Sequence, residues 1–370
     1  MATPKTTLWA RDPHTVAKHK LLDRYLAAWT PIMAKQFREK GFTFVDGFAG
    51  PGEYTNSSES SPVIAMRHAT REDVAQYRTP QRLLFLEEHA GRAAHLAAVL
   101  TRTFPTEERP SSIHVATHRG SCEFDLQRLM TEIGAWQGPI FANLDGWGVD
   151  TPFHVVARIA QQKSSEVLIT FQGQWFTRFA SLTDLPAGDA VFGDTSWRQV
   201  KDLPTAEKQK FLVTHYRDQL RSAGFSHTLT FEMVDEGGHS LFLIFGTSNE
   251  RGVEKMKDAL WIADRVGGAR YRDPRDPAQM TFSIDAPDFT PLRRRFVDHL
   301  LKAGSEDLEV LARQTLEETI YRKADAKRII DELVNDTVVE QVANGRSYRE
   351  KTYRLTNKGM RAPQQTSLFS

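Results

Sequence analysis

One cysteine, Cys122, stands among 370 residues. No disulfide can form within the chain, and a reducing, cytoplasmic setting is the expectation. Long apolar runs are missing as well. None approaches the roughly 18 residues that cross a bilayer, and the polar opening MATPKTTLWARD does not read as a signal peptide. Net charge is close to nil, at +1 from 48 basic and 47 acidic residues. That balance excludes neither nucleic acid nor small anions, since a local basic surface can hide in the average. There is no P-loop and no G-x-S-x-G nucleophile elbow. His89, His95, His114, His118 and His239 are scattered, without an i,i+4 pair beside an acid or a cysteine cluster, so no metal site is expected. Internal repeats are absent.

What the chain does have is a regular alternation. After a helical stretch, TVAKHKLLDRYLAAWTPIMAKQFREKG, five apolar runs are each followed by a helix or a turn: FTFVDGFAG, RLLFLEEH, SSIHVATHRGS, GPIFANLDGWG and SEVLITFQGQW. Such alternation implies a mostly parallel sheet covered on both faces. Two further runs around DEGG read as a hairpin, so the sheet is expected to end on an antiparallel strand. The helix GVEKMKDALWIADRV closes this domain, residues 1–272. A linker rich in proline and aspartate follows over 273–290. Residues 291–358 read as three helices and a hairpin around NGR, the pattern of a winged helix. Residues 359–370 read as a flexible tail.

The most unusual turn is VDGFAGPGEY. Asp46 ends the first strand, and Gly47, Gly50 and Gly52 follow within six residues. Glycines between a strand and a helix let a ligand approach the backbone. In open α/β sheets such sites lie at the carboxyl ends of strands. The second strand ends in Glu87 and Glu88, where an acid accepts hydrogen bonds from ribose hydroxyls; the competing reading is a solvated acid at a helix start. The glycine spacing is not G-x-G-x-x-G. An adenosine ligand without a pyrophosphate therefore fits better than a dinucleotide, and S-adenosylmethionine is the candidate.

These residues carry a resemblance. KHKLLDRYLAAW at Lys18–Trp29, FVDGFAGPGEY followed by SPVIA, the acid of LFLEEH, NLDGWG, GVEKMKDALW and PLRRRFVDHLL together resemble the three-Cys-motif partner protein family. That group is class I methyltransferase-like, with a Rossmann-like sheet, and the resemblance covers nearly the whole chain. It implies cofactor binding by Asp46, Phe48, Gly50, Gly52 and Glu87, with Ser121 in the loop beside adenine. It implies a partner with a three-cysteine radical-SAM-like motif. It also places Asp145 and Trp147 where amino-methyltransferases carry their catalytic motif. There Asp145 would accept from an exocyclic amine and Trp147 would stack on a flipped base. The motif here lacks the two prolines of those enzymes. The plainer readings are a turn or N-cap role for Asp145 and a core or rim role for Trp147.

Residues 291–361 hold fifteen basic and twelve acidic side chains, a net charge of only +3. The basic ones cluster: Arg322, Lys323, Lys327 and Arg328 on the expected recognition helix, and Arg346, Arg349, Lys351 and Arg354 on the wing. Charges so placed suit phosphates; a protein-docking winged helix is the alternative. The tail residues Gln365, Leu368 and Phe369 resemble a sliding-clamp-binding peptide, with a surface of this chain or of a second copy as the other host. The expectation is a methyltransferase-like protein acting on or near nucleic acid. The alternative is a non-catalytic adaptor that brings its partner to DNA.

Overall fold

Strands of the first unit form from runs with no polar face to turn to water. Every residue of β1 (Phe42–Asp46), β4 (Ile140–Leu144) and β5 (Glu166–Phe171) is buried, as for parallel strands covered on both sides. Together with β2 (Gln81–Glu87) and β3 (Ile113–Arg119) they pair in parallel, β3 with β2, β2 with β1, β1 with β4 and β4 with β5. The computed structural model describes residues 6–146, 150–179, 186–234, 240–267, 270–272, 289–343 and 350–361. It divides into two units, Met1–Arg275 and Asp276–Ser370.

Three more strands, β6 (His227–Val234), β7 (Ser240–Thr247) and β8 (Arg270–Arg272), complete a sheet of order β3-β2-β1-β4-β5-β7-β6-β8. β7 is antiparallel to both β5 and β6. The sequence leads one to expect a hairpin and a sheet that ends on an antiparallel strand; β6 and β7 form that hairpin, the edge strand β8 is antiparallel to β6, and β7 itself lies inside. Its run Leu241–Phe245 is wholly buried, and between two strands every backbone group of that run finds a partner. β6, interrupted by Thr228, Thr230 and Glu232, lies next outward, and β8 forms the edge along its last residues.

The first helix, Pro13–Gln36, is capped by Asp12, whose carboxylate accepts the Thr15 amide at 2.9 Å, with proline in the first turn. Leu21, Leu22, Tyr25, Leu26, Trp29 and Met33 form its buried stripe. The segment Gly173–Ala223 carries helices for which the strand–helix alternation gives no expectation: Gly173–Phe179, Pro186–Phe192 and Thr205–Ala223. They bring an aromatic cluster onto β5. Phe171 stacks on Phe176 at 5.4 Å and on Tyr216 at 5.1 Å, and Phe192 stacks on Trp197 at 5.5 Å.

One polar group is buried beneath the first helix. The Tyr25 hydroxyl donates to Glu166 at 2.5 Å, and Thr247 donates to its other oxygen at 2.9 Å. Burial pushes the Glu166 carboxyl up to about 7, against these two hydroxyl donors.

The second unit has the element order helix Thr290–Ala303, β9 (Ser305–Asp307), helices Leu308–Glu318 and Lys323–Asn335, β10 (Val339–Ala343), β11 (Thr352–Leu355) and a short helix Asn357–Arg361. Its three strands form an antiparallel sheet of order β10-β11-β9. The sequence pattern shows the hairpin strands but not β9, which is three residues long. Phe296, Leu300, Leu311, Leu316, Tyr321, Ile329, Ile330 and Leu333 make its core.

Two outcomes follow from these burials. Trp197→Ala is expected to lower unfolding stability by about 3–5 kcal/mol in urea titration, because the cluster loses a large, fully buried ring packed on Phe176 and Phe192. Glu166 has an ordinary value of 4.5 and a folded value of about 7. Between those pH values the unfolded chain releases a proton that the folded chain keeps, so stability falls as pH rises. Glu166→Gln should flatten that part of the stability–pH curve; an unchanged slope would count against the assignment.

Candidate functional site

A cleft of about 250 Å³ opens where β1, β2, β3 and β4 end. The strand order reverses between β1 and β4, the switch point at which open α/β sheets bind ligands. Its floor is the glycine turn. Gly50 has φ 66° and Gly52 φ 87°, both left-handed. A Cβ on Gly50 would meet nothing within 4 Å, and Gly50 lines the cleft, so a side chain there would occupy the space a ligand needs. Gly52 faces the other way, towards Leu96 and Val99 of helix Ala90–Thr103, and serves close helix contact.

Asp46 does not line the cleft. It is fully buried under the turn, where it accepts the Phe48 amide at 3.2 Å and the Asn143 side-chain amide at 3.3 Å. Burial pushes its carboxyl up to about 6, opposed by hydrogen bonds from Ser61, Phe48 and Asn143. Asp46 thus joins the turn, the start of the next helix and β4. Phe48, which follows, does line the cleft. Its ring lies where a Cβ on Gly146 would be, 2.8 Å away at the nearest atom.

Glu87 ends β2 and lines the cleft opposite Gly50. One carboxylate oxygen accepts the Gly50 amide at 3.1 Å and the other the His89 amide at 2.8 Å. Arg92 lies 3.9 Å from it. After β3, Gly120, Ser121, Cys122, Glu123 and Phe124 form the next wall. The Ser121 amide donates to Asp125 at 3.0 Å and the Ser121 hydroxyl accepts the Phe124 amide at 3.2 Å. The Phe124 ring stands 77% exposed at the rim. Cys122 is buried, and burial raises its thiol well above the usual range.

Asp145, at the end of β4, lines the cleft. Lys18 Nζ lies 2.6 Å from its carboxylate and Thr170 donates to it at 2.5 Å. Burial raises the carboxyl, but the Lys18 ammonium and these hydrogen bonds outweigh it and leave it below the usual range. Beside it, His19 is held down to about 4, by burial first and then by Lys18. Asp145 is a placed, neutralised anion, with one carboxylate oxygen accepting from both Lys18 and Thr170. Trp147 lies outside the described residues.

Sequence reasoning missed one whole wall. Trp9, Asp12, His14, Thr15 and Lys18 line the cleft from the first helix and the chain leading into it. Lys18 lies inside the run KHKLLDRYLAAW that carries the resemblance, which was the one available signal. Tyr54 closes the quoted run VDGFAGPGEY but was not singled out there, and Arg92 and Phe124 had no signal. In total the lining holds six carboxylates, from Asp12, Glu87, Glu88, Glu123, Asp145 and Asp150, against Lys18 and Arg92. Among the described residues no group of three or more His, Cys, Asp or Glu could hold a metal. No described helix is long and apolar enough to cross a membrane.

In the second unit the candidate phosphate ligands are already engaged. Arg322 pairs with Asp325 at 2.9 Å, Lys323 with Glu309 at 3.7 Å, Lys327 with Asp331 at 2.8 Å, Arg328 with Glu332 at 2.9 Å and Arg354 with Glu340 at 2.7 Å. Lys351 sits just before β11, its carbonyl accepting the Leu308 amide at 3.0 Å. Arg346, Arg349, Gln365, Leu368 and Phe369 lie outside the described residues.

A parallel sheet of order 3-2-1-4-5 extended by an inserted antiparallel β7 defines the architecture. The fold is Rossmann-like and class I methyltransferase-like. No protein-family model and no curated protein sequence matches the chain. Among solved structures it is similar to Trm1 from Pyrococcus horikoshii in complex with S-adenosyl-L-methionine, at 11% identity and a TM-score of 0.35 over 95% of this chain and 93% of that one. It is similar to an O-methyltransferase from Bacillus cereus in complex with SAH, at 11% identity and 0.31 over 61% and 80%. It is similar to EvdMO1 at 10% identity and 0.31, over 61% of this chain and 42% of that one. The chain thus spans less than half of EvdMO1. At such scores the fold assignment rests on strand order and register.

Lys18 gives a direct test of the site's electrostatics. With its ordinary value near 3.8 and a lower folded value, Asp145 adds stability that is present above that pH and lost below it. Lys18→Met is expected to cost roughly 1–3 kcal/mol at pH 7, discounted for partial exposure. The loss should shrink near pH 4 as the carboxyl takes up a proton. Urea melts at both pH values decide it; an equal loss at the two would rule out the ion pair as the cause.

Proposed function

We propose that the protein binds S-adenosylmethionine in this cleft, as a methyltransferase-like protein acting on or beside nucleic acid. One observation carries the reading. Glu87 presents its carboxylate across from the Gly50 backbone, over a space that only glycine leaves clear. A carboxylate there accepts two ribose hydroxyls, with Ser121 and Phe124 flanking the base and the acidic lining suiting a cationic ligand. The group supplies an electrophilic methyl when bound. The chain's own part is to hold it: Gly50 clears the approach, Asp46 braces the turn from below, and Phe48 closes the side towards Asp145.

The finer reading follows the resemblance to the three-Cys-motif partner family. In it the chain works with a radical-SAM-like partner, the second unit is a winged helix, and the tail Gln365–Phe369 binds a sliding clamp. The state of Asp145 favours the non-catalytic version, an adaptor that brings its partner to DNA. A carboxylate already shared by Lys18 and Thr170 is poorly placed to accept from an acceptor amine. The paired basic residues on helix Lys323–Asn335 weigh the other way, since they leave that face little charge for phosphates.

Calorimetry with S-adenosylhomocysteine tests the cofactor reading, which fails if millimolar ligand gives neither heat nor a thermal shift. Glu87→Ala is expected to weaken binding about ten- to hundred-fold, since hydrogen bonds to a charged group contribute roughly 1.5–3 kcal/mol each. Transfer of a labelled methyl group to DNA or RNA by the lone protein would remove the adaptor version. Partner co-purification, and clamp pull-down lost on deleting residues 365–369, would support it.

A further inference from the structure

The cleft's upper wall is a short piece of chain tied down by few contacts. Residues Thr6–Asp12 precede the first helix and have no strand or helix of their own. The Trp9 carbonyl accepts the Thr55 amide at 3.0 Å. The Arg11 amide donates to the Asn56 side chain at 2.8 Å, the Asn56 amide returns a bond to the Arg11 carbonyl at 3.3 Å, and Arg11 pairs with Glu59 at 3.2 Å. These bonds are polar and partly exposed, so each is worth little. Trp9 itself turns into the cleft. It meets the Tyr54 ring edge-on at 5.7 Å, and the Arg92 guanidinium lies over its face at 4.9 Å. Arg92 in turn reaches Glu87 at 3.9 Å and the Thr6 carbonyl at 3.4 Å.

Two features need explaining together. At about 250 Å³ the cleft is smaller than the roughly 300–1,000 Å³ of ordinary ligand sites. And a large aromatic ring is held in that cleft through a cation whose other neighbour is the expected ribose-binding acid. We infer that Trp9 is a ligand-contacting residue on a strap, Thr6–Arg11, that lifts to admit the cofactor and closes over it, held by Arg92 through the Trp9 face and the Thr6 carbonyl. This rests on the cofactor reading above. When ribose hydroxyls take up Glu87, Arg92 is left to the Trp9 face and the Thr6 carbonyl, which favours the closed strap over a filled cleft. The strap therefore controls how fast ligand enters and leaves.

Stopped-flow binding of S-adenosylhomocysteine to the full chain tests this. Trp9→Ala is expected to raise the dissociation rate about ten-fold or more, as lost lid contacts act chiefly on release. Circular dichroism and the melting temperature of the ligand-free variant check that it is folded. A second variant does not depend on losing the tryptophan. Arg11→Cys with Asn56→Cys joins the strap to the loop it rests on. Its oxidised form should load and release ligand at least about ten-fold more slowly than the same protein after reduction. Wild-type binding with release unchanged in Trp9→Ala, or loading rates equal in the oxidised and reduced double variant, overturns the strap alone. Absence of binding by the wild type overturns the cofactor reading and the strap with it.

Discussion

A fully buried carboxylate carries the architecture of the cleft. Asp46 receives the Phe48 amide, the Asn143 amide and the Ser61 hydroxyl, which belong to the glycine turn, β4 and the helix Ser61–Ala69. Burying such a group is costly unless it is satisfied, and satisfying it fixes three elements in one place. The turn can then expose Gly50 while Gly52 meets helix Ala90–Thr103. An acid at this position need not touch the ligand to be required for it.

The first helix plays a comparable part from above. It is tied to the sheet at two levels, by Lys18 to Asp145 at the carboxyl end of β4 and by Tyr25 to Glu166 at the start of β5. Burial raises the carboxyl of both acids, yet the outcomes are opposite. Lys18 keeps Asp145 ionised, whereas Glu166 meets the hydroxyls of Tyr25 and Thr247 and holds its proton to about pH 7. The cleft side of the helix is thus electrostatic and the far side is a neutral hydrogen-bonded pin. Motion of the chain ahead of the cap residue Asp12 can change the cleft without loosening the helix.

In the second unit, charge is present but spent. Helix Lys323–Asn335 carries three basic and three acidic residues, and its exposed basic groups sit one turn from their acids. Such i,i+4 pairs stabilise a helix modestly and leave little field to draw in a polyanion. The fifteen-to-twelve count over residues 291–361 hints at this neutrality; the pairing itself is the sharper statement.

The parallel strands were legible because burial on both faces demands continuous apolar runs, as in IFANL and EVLITF. The glycine turn was legible because left-handed backbone at Gly50 and Gly52 calls for glycine. Helix Thr205–Ala223 carries a helical stripe at Leu212, Val213, Tyr216 and Leu220, but its aromatic partners come from three other segments. The place of β7 depended on a competition between two strands for the interior, which neither run displays alone. Lys18 meets Asp145 across 127 residues of chain, and Trp9 reaches the cleft only because the first helix folds back over the strand ends. Local order follows from each residue's own conformational and solvation preferences, so the sequence by itself determined the strands, the turn and the acid beside it. Which charges neutralise one another, and which aromatic closes the cleft, depends on contacts between distant segments, and only the tertiary structure decided them.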